Sequence, residues 1–225
     1  MRIIFILFVI ILFAGCTWET TLGESDMTVV RYLALGDSYT IGESVPEGER
    51  WPNQLARALT SQGLPTEVTL IARTGWTTDE LWQGIQAGEV EPPYDLVSLL
   101  IGVNNQYRGY DINEYREQFI FLLNKSIEYA GGNPKRVIVL SIPDWGVTPF
   151  AEGRDRVTIA REIDEFNSVN REESERAGVH YFDITPVSRT AAESALTAED
   201  GLHPSGKMYT LWAEMVLPTA FDILK

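Results

Sequence analysis

From Val29 to Leu35 the chain is a nearly continuous apolar run, and it stops at Gly36. That is the pattern of a strand buried on both faces. The period then changes. From Trp51 to Gln62, Leu55, Ala58 and Leu59 share one helical face, Pro52 suits the first turn and Gly63 stops the helix. Val68–Ala72 predicts a second strand, Thr77–Gln86 a short helix and Leu96–Ile101 a third buried strand. Asp111 and Glu114 have capping-box spacing ahead of a helix whose apolar face carries Tyr115, Phe119, Leu122 and Leu123, with Gly131 near its end. Val137–Ile142 predicts a fourth strand, Val157–Ala177 an amphipathic helix through Ile159, Ile163 and Phe166, and Val179–Asp183 a fifth strand. A last helix after Pro204 carries Met208, Leu211, Trp212 and Met215 at helical spacing. Buried strands alternating with helices imply an α/β domain with a parallel sheet covered on both faces. In such a domain the working residues lie beyond the carboxyl ends of the strands.

The first residues stand apart from this pattern. Arg2 precedes an unbroken apolar run from Ile3 to Ala14, too short to span a bilayer comfortably. It has the length and flanks of a signal-peptide core. Its end, Phe13-Ala14-Gly15-Cys16, resembles a bacterial lipoprotein signal, in which small residues precede a cysteine that is lipidated and becomes the new N-terminus. Residues 1–15 are therefore expected to be a signal peptide, 16–28 a lipidated Cys16 with a polar tether, and 29–225 the folded domain. The expected location is exported: a membrane-anchored lipoprotein of a bacterial cell envelope, or a secreted protein if Cys16 carries no lipid.

Composition narrows the chemistry. The 225 residues contain 44% hydrophobic positions, enough for a full core, and carry a formal net charge of −14. An acidic surface repels phosphate backbones, so nucleic acid is not an expected partner. Cys16 is the only cysteine, which excludes intrachain disulfides, thiol catalysis in the domain and cysteine-based metal sites. No cluster of His and carboxylates suggests a metal, and no cofactor is expected.

Two short segments draw attention at strand ends. Strand one runs into Gly36-Asp37-Ser38-Tyr39, which holds a Ser at the sheet rim, although Gly-Asp-Ser also describes an ordinary turn. Near the C-terminus, Asp200-Gly201-Leu202-His203 places one of only two His three residues after an Asp. That separation can bring a carboxylate to one imidazole nitrogen while the other faces outward. The second, His180, lies inside strand five as a packed or partly exposed strand residue. Gly75 follows strand two, and Gly102-Val103-Asn104-Asn105 follows strand three. A Gly N–H and an Asn amide are suitable oxyanion donors, and equally suitable loop residues.

In this order and strand context, Gly36-Asp37-Ser38, Gly75, Gly102-Val103-Asn104 and Asp200-Gly201-Leu202-His203 resemble the SGNH hydrolases, a group similar to the GDSL esterases and lipases. Tyr39 stands where the GDSL name has Leu. The resemblance extends from Val29 to Leu224. It implies a flavodoxin-like three-layer α/β/α sandwich with a five-stranded parallel sheet in order 2-1-3-4-5. It also implies a triad of Ser38 as nucleophile, His203 as base and Asp200 as its partner. The oxyanion hole would comprise the Ser38 N–H, the Gly75 N–H and the Asn104 amide. Asn105 takes no role from it. Ser38 would attack an ester carbonyl once His203 removes its proton, and water would release the acyl-enzyme.

Aromatics Trp76, Tyr107, Trp145 and Phe150 fall near the same rim as candidate substrate contacts. Trp145 and Phe150 belong to a long connection, Pro143–Arg156, and could instead cover the sheet edge. The expected substrate is a small-molecule or carbohydrate ester with a short acyl or O-acetyl group. Lysophospholipase or thioesterase activity and a non-catalytic glycan-binding lipoprotein are the alternatives. A flavodoxin-like FMN site would need a loop after strand one richer in Ser, Thr and Gly than Ser38-Tyr39-Thr40-Ile41-Gly42.

Overall fold

The computed structural model describes residues 28–190 and 195–225. The expected signal peptide, Cys16 and nearly all of the expected tether lie outside the described residues. Five strands form one parallel sheet in the order β2-β1-β3-β4-β5: β1 (Val30–Gly36), β2 (Thr66–Ala72), β3 (Leu96–Leu100), β4 (Val137–Leu140) and β5 (His180–Phe182). Tyr32 registers with Val68 on one side and Leu96 on the other, which makes β1 an inner strand. The three inner strands are buried almost throughout, whereas β2 and β5 at the edges are half-buried. This explains why the inner strands read as continuous apolar runs.

The helices are α1 (Ser38–Ile41), α2 (Trp51–Ser61), α3 (Thr78–Ala87), α4 (Val103–Tyr107), α5 (Ile112–Tyr129), α6 (Arg156–Ala177), α7 (Thr185–Arg189) and α8 (Gly206–Leu224). The long helices α2 and α8 pack on each other over one face of the sheet, and α3, α5 and α6 pack in series over the other. The result is the expected three-layer sandwich. Its core joins the inner strands to Trp51, Leu55 and Leu59 of α2, Tyr115 and Phe119 of α5, and Tyr209 and Trp212 of α8.

Element ends depart from expectation where side chains intercept the backbone. The fourth strand stops at Leu140 rather than Ile142, and the Ile142 N–H donates to Asn167 Oδ1 at 2.7 Å. Asp111 caps α5 through the N–H groups of Asn113 and Glu114, at 2.9 and 3.2 Å. Glu114 does not complete a capping box, since its Oε1 accepts from Gln118 at 3.0 Å. The capping box lies instead on α3, where the Thr77 N–H donates to Glu80 Oε2 at 2.9 Å. Asp155 caps α6. Caps of this kind are each worth about 1 kcal/mol.

Because all strands are parallel, the segments after β1, β2, β3 and β4 emerge along one edge. Ser38, Gly75, Asn104 and Trp145 follow those four strands respectively.

Candidate active site

Ser38 owes its position to Asp37. The Asp37 side chain caps α1, accepting the Tyr39 N–H at 3.0 Å, and so fixes the turn that begins the helix at Ser38. As the first helical residue, Ser38 has an N–H with no acceptor inside the helix. Asp37 itself is fully buried, and its Oδ2 has no partner among the described residues. Burial pushes its carboxyl up to about 7, against the lowering effect of the Tyr39 N–H.

The second half of the site is a braced loop ahead of α8. His203 is nearly buried, and its Nδ1 lies 2.6 Å from Asp200 Oδ2. Asp200 Oδ1 accepts the Leu202 N–H at 2.9 Å and the His203 N–H at 3.0 Å, while Ser44 Oγ donates to Oδ2 at 2.7 Å. Partial burial opposes ionisation of Asp200. The hydrogen bonds from Ser44, His203 and the two backbone N–H groups outweigh it and hold the carboxyl well below the usual range. A carboxylate at Nδ1 favours the tautomer that leaves Nε2 as an acceptor. The Tyr39 ring, 5.5 Å from the imidazole between centroids, packs beside it.

The oxyanion candidates converge on the same place. Asn104 lies in the first turn of α4, where its Nδ2 donates to the Trp76 carbonyl at 2.9 Å. This contact occupies one amide hydrogen and orients the other. Gly102 precedes the helix with φ 126°, and a Cβ there would collide with the Tyr115 hydroxyl. Only Gly permits both the turn and that close approach. The Gly75 carbonyl accepts from Arg108 Nη2 at 2.6 Å, and Arg108 also pairs with Glu80 at 3.1 Å.

Ser38, Gly75, Asn104 and His203 line one cavity of about 170 Å³, together with Tyr39, Thr74, Val103, Tyr107, Trp145, Phe150 and Leu202. No Ser38–His203 hydrogen bond is formed among the described residues. Catalytic contacts of this type are commonly long before substrate binds. Trp145 is buried and donates from Nε1 to Gln106 at 2.8 Å, whereas Tyr107 and Phe150 are 45% and 41% exposed at the mouth. Among the described residues no three His, Cys, Asp or Glu side chains are grouped to hold a metal ion.

The model of the GDSL-like lipase/acylhydrolase family matches residues 34–211, from β1 into α8. The chain belongs to this family. No curated protein matches it in sequence. Among solved structures it is similar to the lipase/acylhydrolase of Enterococcus faecalis, with a TM-score of 0.69 at 20% identity over 88% of this chain and 98% of that one. It is similar to TesA, with a TM-score of 0.68 at 19% identity over 86% of this chain and 99% of that one. It is similar also to the acetylxylan esterase Axe2 of Geobacillus stearothermophilus, with a TM-score of 0.67 at 18% identity over 87% and 96%. At such identities these likenesses speak for the fold.

Within this GDSL-like framework one expected substrate contact moves. The Trp76 ring lies over Gly84 of α3, where a Cβ would overlap it, and does not line the cavity. The missing side chain at Gly84 opens a slot that draws the indole away, so that only the Trp76 carbonyl reaches Asn104. Four further residues brace the site. Ser44 holds Asp200, Arg108 holds the Gly75 peptide, and Gln106 holds the Trp145 indole. Asn105, to which the family resemblance gives no role, is buried and bonds the Thr78 N–H and hydroxyl at 3.1 and 2.8 Å, tying α4 to α3. None carries a motif. Their roles depend on strands distant in sequence being adjacent in the sheet.

Proposed function

We propose that this GDSL-like hydrolase cleaves carboxylic esters through an acyl-enzyme on Ser38, with short acyl groups, O-acetyl among them, as its substrates. The observation that carries this reading is the 2.6 Å Asp200–His203 pair on the cavity that Ser38 also lines. His203 Nε2 takes the Ser38 proton as Oγ bonds to the ester carbonyl carbon. The negative charge on the carbonyl oxygen is met by the Ser38 and Gly75 N–H groups and the Asn104 amide. Collapse breaks the C–O bond, and the imidazolium gives its proton to the departing alkoxide. Water repeats the sequence on the acyl group and restores Ser38. Asp200 holds the ring and stabilises its charged form.

Short acyl groups are favoured by size. A cavity of about 170 Å³ is small beside the ~300–1,000 Å³ typical of sites for drug-sized ligands. Its rings can wall an acetyl or butyryl group, or face a sugar alcohol. The reading also includes export with a lipid on Cys16, which rests on the N-terminal sequence alone.

The test is kcat/KM across matched esters from acetyl to dodecanoyl, with a fluorophosphonate label to locate the nucleophile. We expect acetyl to butyryl esters to turn over fastest and the label on Ser38. A steady rise toward long chains overturns the short-acyl assignment. Labelling elsewhere, or no turnover of any ester, overturns the mechanism.

A further inference from the structure

At the mouth of the cavity, Tyr107, Trp145 and Phe150 form a mutual aromatic cluster, with centroid separations of 5.4, 6.2 and 5.9 Å. The guanidinium of Arg154 lies 5.3 Å from the Tyr107 ring, 5.5 Å from Trp145 and 5.3 Å from Phe150. Its Nη2 donates to Tyr107 Oη at 3.2 Å, and the Arg154 N–H donates to Ala151 O at 3.1 Å. Both ends of the residue are therefore tied to the rim.

No carboxylate claims this guanidinium among the described residues. Arg108, Arg116, Arg171 and Arg189 all bond acidic side chains. The next residue, Asp155, is committed to the start of α6. It accepts the Val157 and Thr158 N–H groups at 3.1 Å each and the Thr158 hydroxyl at 2.8 Å. Arg154 is exposed and, although other arginines of this chain of net charge −14 also lack an acidic partner, it is the one among the described residues held over three rings at the rim of the site. Rings hold a guanidinium without occupying its N–H groups, and only one of the five donors is spent on Tyr107.

We propose that Arg154 is a specificity-determining residue that binds an anionic group, a carboxylate or a phosphate, carried by the ester substrate. The proposal rests on the ester-hydrolase reading. The ester carbonyl sits at Ser38, and the anion extends past the lining rings Tyr107 and Phe150 to reach Arg154, which lies against them outside the cavity lining.

The test uses pairs of esters that differ in charge. 4-Acetoxybenzoate against 4-acetoxybenzamide places the anion on the alcohol side. Phenyl hemiglutarate against phenyl valerate places it on the acyl side. 4-Acetoxyphenyl phosphate distinguishes phosphate from carboxylate. We expect the wild type to favour the anionic member of at least one pair by about tenfold in kcat/KM, mainly through KM. Added salt should shrink that ratio, Arg154→Gln should bring it toward one, and Arg154→Lys should keep part of it. Equal rates on charged and neutral members in the wild type overturn the proposal. So does faster turnover of acetylcholine by Arg154→Gln with no loss on the anionic esters, which makes Arg154 an occupant of a cation cage. Turnover of no ester by the wild type fells the ester-hydrolase reading and the Arg154 assignment with it. Turnover without charge preference fells the assignment alone.

Discussion

Asp200 receives hydrogen bonds from Ser44, His203 Nδ1 and two backbone N–H groups, so its charge and position are fixed before any substrate arrives. His203 is held in turn by that carboxylate and by the Tyr39 ring beside it. In the proposed mechanism a base so restrained acts with its nucleophile as one unit. Ser38→Ala and His203→Ala should each lower kcat by a factor on the order of 10⁴, and the double variant should be little worse than either. Steady-state rates of the three variants check this, and losses that multiply would count against a shared proton transfer. Ser38, Asp200 and His203 stand out in the sequence because Ser38 follows a buried strand and Asp200 precedes His203 by three. Ser44 does not. It takes φ 65°, rare for a side chain other than Gly, and reaches Asp200 across 156 positions of sequence. No local pattern encodes such a contact.

The elements with several turns, α2, α5, α6 and α8, were readable from their apolar faces, because an amphipathic period needs two turns or more to show itself. α4 and α7 have five residues each, too few for a period, and both went unread. The shortest helix, α1, carries Ser38 and is capped by Asp37 at its start and by Gly42 at its end. The folded state keeps the Asp37 carboxyl protonated up to about pH 7, whereas an unfolded Asp releases its proton near 4. Between those values the folded state holds the extra proton, so stability falls as pH rises through the window. Asp37→Asn keeps an acceptor for the Tyr39 N–H and cannot ionise. From pH 5 to pH 8 the wild type should lose a few kcal/mol relative to this variant, read from urea midpoints at the two pH values. Parallel pH dependence of the two proteins would remove Asp37 as the cause.

At the scale of the molecule, alternation of strand and helix announced the sandwich and the strand order followed from the family resemblance. Of the rim aromatics read from the sequence, Tyr107, Trp145 and Phe150 line the cavity, whereas Trp76 leaves it for a slot that Gly84, in the next helix, creates. The N-terminal segment has its own test. Wild-type protein made in a bacterial host should partition with membranes and incorporate labelled fatty acid, and Cys16→Ser should do neither. Absence of lipid on the wild type would leave plain secretion. The direction of β1 gives that attachment a geometric meaning. The chain enters the domain at Val30, and Ser38 follows the other end of the same seven-residue strand, about 20 Å away. Whatever holds the chain from its N-terminal side therefore pulls on the floor of the sheet and leaves the mouth facing away. With the proposed lipid on Cys16, the cavity mouth would be turned toward the surroundings and not toward the bilayer.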